Sequence, residues 1–286
     1  MSLLQNRVTF YLKWKWLHMQ YKKHLPASFQ LKHGYIPKNR AVLKQVDSWI
    51  DDATLDQSFF RYGVTPEARP LLDLPVGDEI TYTDLLCSFH DMLGEPVRYL
   101  ELGVSVGKNL LQVASNFQQA SITGFEIESC NPVLEQFFTP VSVEQVDKGN
   151  SAFESKRYTR SRYQLGSNNI TYLSADIMDE ASWKALAGQQ FNLIFSDAFH
   201  SPDALLWEIR MLLKYNLINK QRFVIMWDDL GGHMTEGFLK IKKILVREGY
   251  ITRDDAYIIK INGWLGKNEY QHEVGIITNI FTDLKK

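Results

Sequence analysis

The 286-residue sequence predicts an α/β protein: a doubly wound, mostly parallel sheet of seven strands, one of them antiparallel, behind an N-terminal helical extension. Three observations carry that prediction. Short apolar runs of strand length alternate with segments of helical period up to about residue 250. The first run passes through a glycine turn directly into a helix. The last two strands, at 256–261 and 274–280, have no helix between them, so the chain reverses and one strand runs antiparallel near an edge.

In chain order, residues 1–80 read as a basic arm and helical extension, and 81–286 as the main domain. Nine Lys and Arg residues precede the first acid, Asp47, which leaves 23 bases and 33 acids for the rest of a chain whose net charge is −1. Such an arm is expected to dock on the acidic body, on a partner, or on an anionic surface such as a membrane. Phe10, Trp14, Leu17 and Tyr21 share one helical face, although Lys13-Trp14-Lys15-Trp16 also suits a strand. A packing or dimerisation helix is the plainer reading, and a homo-oligomer is expected. Deleting residues 1–40 is expected to disturb assembly or surface attachment more than chemistry. Pro66, Pro70 and Pro75 punctuate the stretch that follows, where Arg61, Tyr62 and Arg69 read as solvated or capping groups. A helix over 82–92 then ends at Gly94.

Val97 to Leu102 is the first strand, and it delivers Gly103-Val104-Ser105-Val106-Gly107. Leu110, Ala114 and Phe117 continue at helical spacing, so the free N–H groups of a helix start point back at the turn. Two glycines four apart would let the backbone approach a ligand where a Cβ collides. A dinucleotide fingerprint needs glycine at the first, third and sixth positions, but these are Gly103, Ser105 and Lys108. No Gly-Lys-Ser/Thr stands at P-loop spacing either.

The second strand, 121–127, ends near Glu126, 23 residues past Gly103, where a carboxylate can accept from both ribose hydroxyls; Glu128 competes for the role. Residues 133–168 carry Lys156, Arg157, Arg160 and Arg162 among Tyr158 and Tyr163, and read as a solvated loop that offsets the acidic body. The strand 170–174 delivers Asp176, an acid able to accept from an adenine amino group. Residues 191–195 form a buried-type strand ending in Ser196-Asp197-Ala198-Phe199-His200, followed by a helix at 204–215. Residues 223–227 form another, ending in Asp228-Asp229 and two glycines, followed by a helix at 235–249. The loop between the last two strands holds Gly263, Trp264 and Gly266. Ligands of open α/β sheets sit beyond the carboxyl ends of the strands, and Glu101, Glu126, Asp176, Asp197, Asp228 and Asp229 all fall there.

Two cysteines, Cys87 and Cys130, make no disulfide framework and lack metal-ligand spacing. With no apolar run near bilayer-spanning length and no signal-peptide pattern, the expected location is the cytoplasm.

Glu-Leu-Gly-x-x-x-Gly after a strand (Glu101 to Gly107) resembles motif I of the class I S-adenosylmethionine-dependent methyltransferases. Together with Asp-x-x-His (Asp197 to His200) and Trp-Asp-Asp (227–229), it resembles the metal-dependent small-molecule O-methyltransferases, a group that includes catechol and macrolide-sugar O-methyltransferases. The similarity covers about residues 82–280 and implies a Rossmann-like fold with S-adenosyl-L-methionine as cofactor. It implies Asp197, Asp228 and Asp229 as ligands of Mg²⁺ and Glu126 as the ribose acid. Asn109 would meet the methionine carboxylate, with Ile127 and Phe199 on either side of the adenine. Glu101, Gly103, Ser105 and Gly107 would form the cradle. Catechol enzymes place asparagine at the position of Asp229 and lysine at that of His200, whereas the sugar-modifying relatives resemble this chain at both.

The implied partner is therefore a small hydroxylated acceptor, such as a sugar, a phenol or a natural-product intermediate. A divalent ion beside its oxygen lowers the hydroxyl pKa and fixes its position. His200 is the expected base, because an unperturbed imidazole titrates near 6.5; His233 is held in reserve. Nucleic acid is not the expected partner, because amino-directed base methyltransferases carry Asp/Asn-Pro-Pro-Tyr/Phe where this chain has Ser-Asp-Ala-Phe-His. The competing readings are a metal-independent methyltransferase, an aminopropyl transferase, and a non-catalytic scaffold that uses the basic arm.

Overall fold

A computed structural model describes residues 21–47, 79–94, 96–153, 157–262 and 271–282. Among them one sheet collects β1 (Arg98–Leu102), β2 (Ser121–Glu126), β3 (Thr139–Gln145), β4 (Thr159–Leu165), β5 (Asn168–Ser174), β6 (Leu193–Ser196), β7 (Val224–Trp227), β8 (Ala256–Asn262) and β9 (Gln271–Thr278). The helices are α1 (Tyr35–Asp47), α2 (Tyr82–Leu93), α3 (Lys108–Asn116), α4 (Pro132–Glu135), α5 (Glu180–Lys184), α6 (Pro202–Lys214) and α7 (His233–Arg247). The helical face at Phe10, Trp14 and Leu17, the stretch with Arg61, Tyr62 and Arg69, Lys156, and the loop with Gly263, Trp264 and Gly266 lie outside the described residues.

The strand order is β3-β4-β5-β2-β1-β6-β7-β9-β8. From β5 through β7 the neighbours pair parallel, and β9 pairs antiparallel with both β7 and β8. This is the expected doubly wound, Rossmann-like arrangement, with its strand order reversing at β1. Helices cover both faces, so successive strand residues enter opposite cores. Tyr99 packs with Ile122, Leu86 and Phe89 on one face, while Leu100 packs with Ile194, Ile225 and Trp183 on the other. That double burial makes the central strands read as continuous apolar runs.

The strand count needs correcting from seven to nine. The segment 133–168, expected as a loop, contains the antiparallel pair β3 and β4, and β4 pairs antiparallel with β5. Arg160 and Arg162 sit two apart on β4. Ser161 and Tyr163 turn inward, and Tyr163 packs on Phe138 with ring centroids 5.8 Å apart. Arg160 and Arg162 point the other way, to Glu144 at 3.1 and 2.9 Å. An alternation with so few apolar residues is a weak strand signal until neighbouring strands exist to pair with.

Part of the basic extension docks on the body. The Lys22 N–H donates to the Ala256 carbonyl at 3.0 Å and Ile258 N–H to the Lys22 carbonyl at 2.9 Å, which bridges the free edge of β8. Phe29 meets Phe89 and Phe281 at 5.0 and 6.4 Å. On α1, Asn39 and Arg40 donate to the two oxygens of buried Asp84, at 2.7 and 2.9 Å. The same Asp84 completes a capping box with Thr81 at the start of α2, whose far end is closed by Gly94.

Candidate functional site

The carboxyl ends of the parallel strands open onto a cavity of about 760 Å³. Glu101, Gly103, Ser105, Asn109, Glu126, Ile127, Asp176, Asp197, Phe199, His200, Asp228 and Asp229 all line it, so turns and strand ends far apart in sequence converge on one space; Gly107, also expected there, does not line it. Both turn glycines have left-handed backbones, at φ 81° and 82°, but what a side chain would strike is protein. A Cβ on Gly103 would run into the Asp197 and Ala198 backbone, and one on Gly107 into the Leu134 side chain. The glycines thus let the turn press against the end of β6 and against α4, rather than clearing space for a ligand directly.

Glu126 closes over that turn. Its Oε2 accepts from the N–H groups of Val104 and Ser105, both at 2.9 Å, and its Oε1 from that of Ile127 at 2.7 Å. Glu101 is buried beneath, accepting from the Tyr99 hydroxyl at 2.7 Å and the Asn109 amide at 2.9 Å. Burial pushes its carboxyl up to about 8 against those donors. The Asn109 Oδ1 accepts from Thr83 at 2.7 Å, so this amide already has partners at both ends. Asp176 accepts from the Met178 N–H at 2.8 Å and from Ser151 at 3.1 Å. Phe199 is 61% exposed, and Ile127 is half-buried across the same opening.

The neighbouring strands β6 and β7, in register through Ser196 and Trp227, present Asp197 and Asp228-Asp229 side by side. Two imidazoles are strung between the three acids. His200 stands 3.0 Å from Asp197 through Nε2 and 3.2 Å from Asp229 through Nδ1. His272, at the start of β9, stands 2.7 Å from Asp228 and 3.0 Å from Asp229 through Nδ1. Hydrogen bonds to Asp197 and Asp229 raise His200 to about 10. Burial lowers His272, but its bonds to Asp228 and Asp229 prevail and hold it near 10 as well. Burial lifts Asp197 to about 6, while hydrogen bonds from His200 and His272 hold Asp229 well below the usual carboxylate range. His200 is therefore not the unperturbed imidazole that was expected: the two carboxylates on either side favour its protonated form. His233, the reserve, opens α7 as an exposed residue and does not line the cavity.

Two residues escaped the sequence reading. His272 lies 44 residues beyond Asp228, and only the antiparallel course of β9 brings its first residues to the rim where β7 ends. The Leu230 N–H donates to the Glu273 carbonyl at 2.8 Å and ties the two chain segments together there. The sequence pointed to one antiparallel strand near an edge, but not to which strand it was, so nothing in it placed His272 beside the acids. Glu208, buried on α6, accepts from Ser196 Oγ at 2.9 Å and Trp227 Nε1 at 3.1 Å. These residues directly precede Asp197 and Asp228, so one carboxylate fixes the approach of both strands to the site.

No family model and no curated protein matches the chain. Among solved structures it is similar to a Klebsiella pneumoniae protein named as an O-methyltransferase (12% identity, 84% of this chain and 88% of the other covered, TM-score 0.47). It is also similar to the SAH-bound Podospora anserina methyltransferase (13%, 97% and 96%, TM-score 0.42) and to an O-methyltransferase of Bacillus cereus in complex with SAH (14%, 82% and 97%, TM-score 0.43). Likenesses of this degree carry no argument about activity; the strand order and the side chains at the rim do.

Proposed function

We propose that the chain is an S-adenosylmethionine-dependent methyltransferase that acts on a hydroxyl of a small molecule beside a divalent ion. The observation that carries this reading is the joining, in one cavity of about 760 Å³, of a glycine-turn cradle with Glu126 and Asp176 to a cluster of three acids and two imidazoles. That volume lies within the range of sites for small ligands.

The residues fit both absent groups. Glu126 stands where its carboxylate can exchange backbone N–H donors for ribose hydroxyls, and Asp176 keeps acceptor capacity toward an amino group. Phe199 supplies an exposed aromatic face for a flat base. The acids and imidazoles offer oxygen and nitrogen donors of the kind that hold divalent metals. When bound, the sulfonium supplies the methyl group, whose bond to sulfur breaks as the acceptor oxygen bonds to carbon, and the ion lowers the pKa of that oxygen. Asp197 and His200 lie on the same rim: the hydroxyl proton would pass to Asp197, while His200, held in its protonated form between Asp197 and Asp229, would orient the acceptor oxygen. The buried layer of Glu208, Ser196 and Trp227 holds these groups in place, which is how orientation contributes to rate.

Calorimetry with S-adenosylmethionine, its demethylated product and NAD, followed by methylation of a sugar, a phenol and a lipid-like alcohol with and without divalent metal, tests this. Binding of the sulfonium and metal-dependent transfer to one acceptor class are expected. Tight NAD binding with no response to the sulfonium would overturn the reading, and full activity in excess chelator would favour a metal-independent transferase.

A further inference from the structure

The three carboxylates read from the sequence are not the donors that sit closest together. We propose that the divalent ion is held by Asp228, Asp229 and the imidazole of His272, and that this mixed set takes a first-row transition ion such as Mn²⁺, Fe²⁺ or Co²⁺ in preference to Mg²⁺. The proposal deepens the site described above and rests on that reading only for the use to which the ion is put.

One ligand atom from each of the three residues lies within 4.8 Å of the others. The Nδ1 of His272 is 2.7 Å from Asp228 Oδ2 and 3.0 Å from Asp229 Oδ1. Donors about 2.1 Å from an ion and at right angles to one another stand about 3 Å apart, so the imidazole already has the spacing to each carboxylate that a shared ion requires. Asp197 is set apart from the group by His200, which bonds to it on one side and to Asp229 on the other.

The donors are also held. The Asp228 and His272 side chains are 1% and 10% exposed. Asp228 Oδ1 accepts from the Asp229 N–H at 2.8 Å, and Asp229 has a left-handed backbone at φ 51°, uncommon for a residue with a Cβ. Tyr82 packs edge-on to the His272 ring, with centroids 5.9 Å apart. The bond from Leu230 to Glu273 keeps the β7 loop and the start of β9 in register. The half-exposed Asp229 and the open cavity leave the remaining coordination positions to water or an acceptor. Mg²⁺ prefers oxygen ligands and retains its waters, whereas imidazole suits the later divalent ions.

The test uses the full-length chain stripped of metal. Mn²⁺ binding is followed by loss of the free aqueous Mn²⁺ EPR signal, with Mg²⁺ as competitor, and bound Mn²⁺ is examined by pulsed EPR for ¹⁴N coupling. We expect Mn²⁺ to bind at least about tenfold more tightly than Mg²⁺ and to show nitrogen coupling. His272→Gln should abolish the coupling and weaken Mn²⁺ by about tenfold or more. His200→Gln should keep the coupling, and Asp197→Asn should keep Mn²⁺ affinity within about threefold. No Mn²⁺ binding, oxygen-only coordination, coupling that vanishes in His200→Gln, or Asp197→Asn losing the ion would each overturn the proposal. If His272→Gln does not fold, the wild-type and His200→Gln spectra decide. Calorimetry with S-adenosylmethionine on the same samples separates the two ideas. Nitrogen-ligated Mn²⁺ without sulfonium binding sinks the methyltransferase reading alone, and sulfonium binding with an all-oxygen Mg²⁺ site sinks this one alone.

Discussion

Single residues at the rim owe their chemistry to a neighbour supplied by a different strand. Glu126 touches three backbone N–H groups of the glycine turn and its own strand end, so its carboxylate serves both the turn and the proposed ribose. We predict that Glu126→Ala weakens S-adenosylmethionine binding by about 1.5–3 kcal/mol, the scale of hydrogen bonds to a charged group. Calorimetry showing unchanged affinity would remove it from the cofactor site. Glu208 leads to a pH prediction. Burial raises its folded pKa to about 7 from 4.5, against the Ser196 and Trp227 donors. Between those values the unfolded chain has released the proton that the folded chain retains, so the folded state binds more protons. Its contribution is therefore full below about 4.5 and is lost as pH rises to about 7. Glu208→Gln, which stays neutral, should remove a fall in stability on the order of 2–3 kcal/mol across that window. Urea denaturation of both proteins at pH 5 and pH 8 checks it, and parallel losses would refute the assignment.

At the scale of elements, the site depends on contacts between turns and helices that no single motif contains. The Gly103 turn lies against the end of β6, so the cofactor cradle and the Asp197 strand end are packed as one unit. The helix α1 is joined to α2 through Asp84, whose side chain is fully buried beside a guanidinium that is 5% exposed. Removing one partner of such a pair leaves a buried charge uncompensated, so Arg40→Ala should cost about 3–5 kcal/mol. Chemical denaturation reads this directly; a loss below about 1 kcal/mol would mean that water or another donor takes over. The β3–β4 pair shows the limit of periodicity, since strands with few apolar residues become strands only through pairing.

For the whole molecule, residues 21–47 of the basic arm are packed on the body, by backbone, ring and one buried charged contact. Lys22 bridges to β8, Phe29 packs beside Phe281, and Arg40 is neutralised by Asp84. Deleting residues 1–40 is thus expected to lower the thermal transition of the body by several degrees or more, as well as altering assembly or surface attachment. Calorimetry together with sedimentation and liposome binding separates these effects, and an unchanged transition would show that the docked segment adds no stability.

The sequence by itself determined the α/β class, the five parallel strands, one antiparallel strand near an edge and the rim on which six acids meet. It could do so because apolar runs, glycine turns and helical spacing are local, and strand direction then dictates which ends share an edge. Only the tertiary structure decided that the sheet has nine strands among the described residues, that Gly107 packs against Leu134, that Asn109 bonds to Glu101, and that His200 stands between two carboxylates that favour its protonated form. It also brought His272 to Asp228 and Asp229, and Glu208 under both strand ends. These outcomes depend on distances between segments remote in sequence, and both the charge of an imidazole and the worth of a carboxylate are set by whatever lies within about 4 Å.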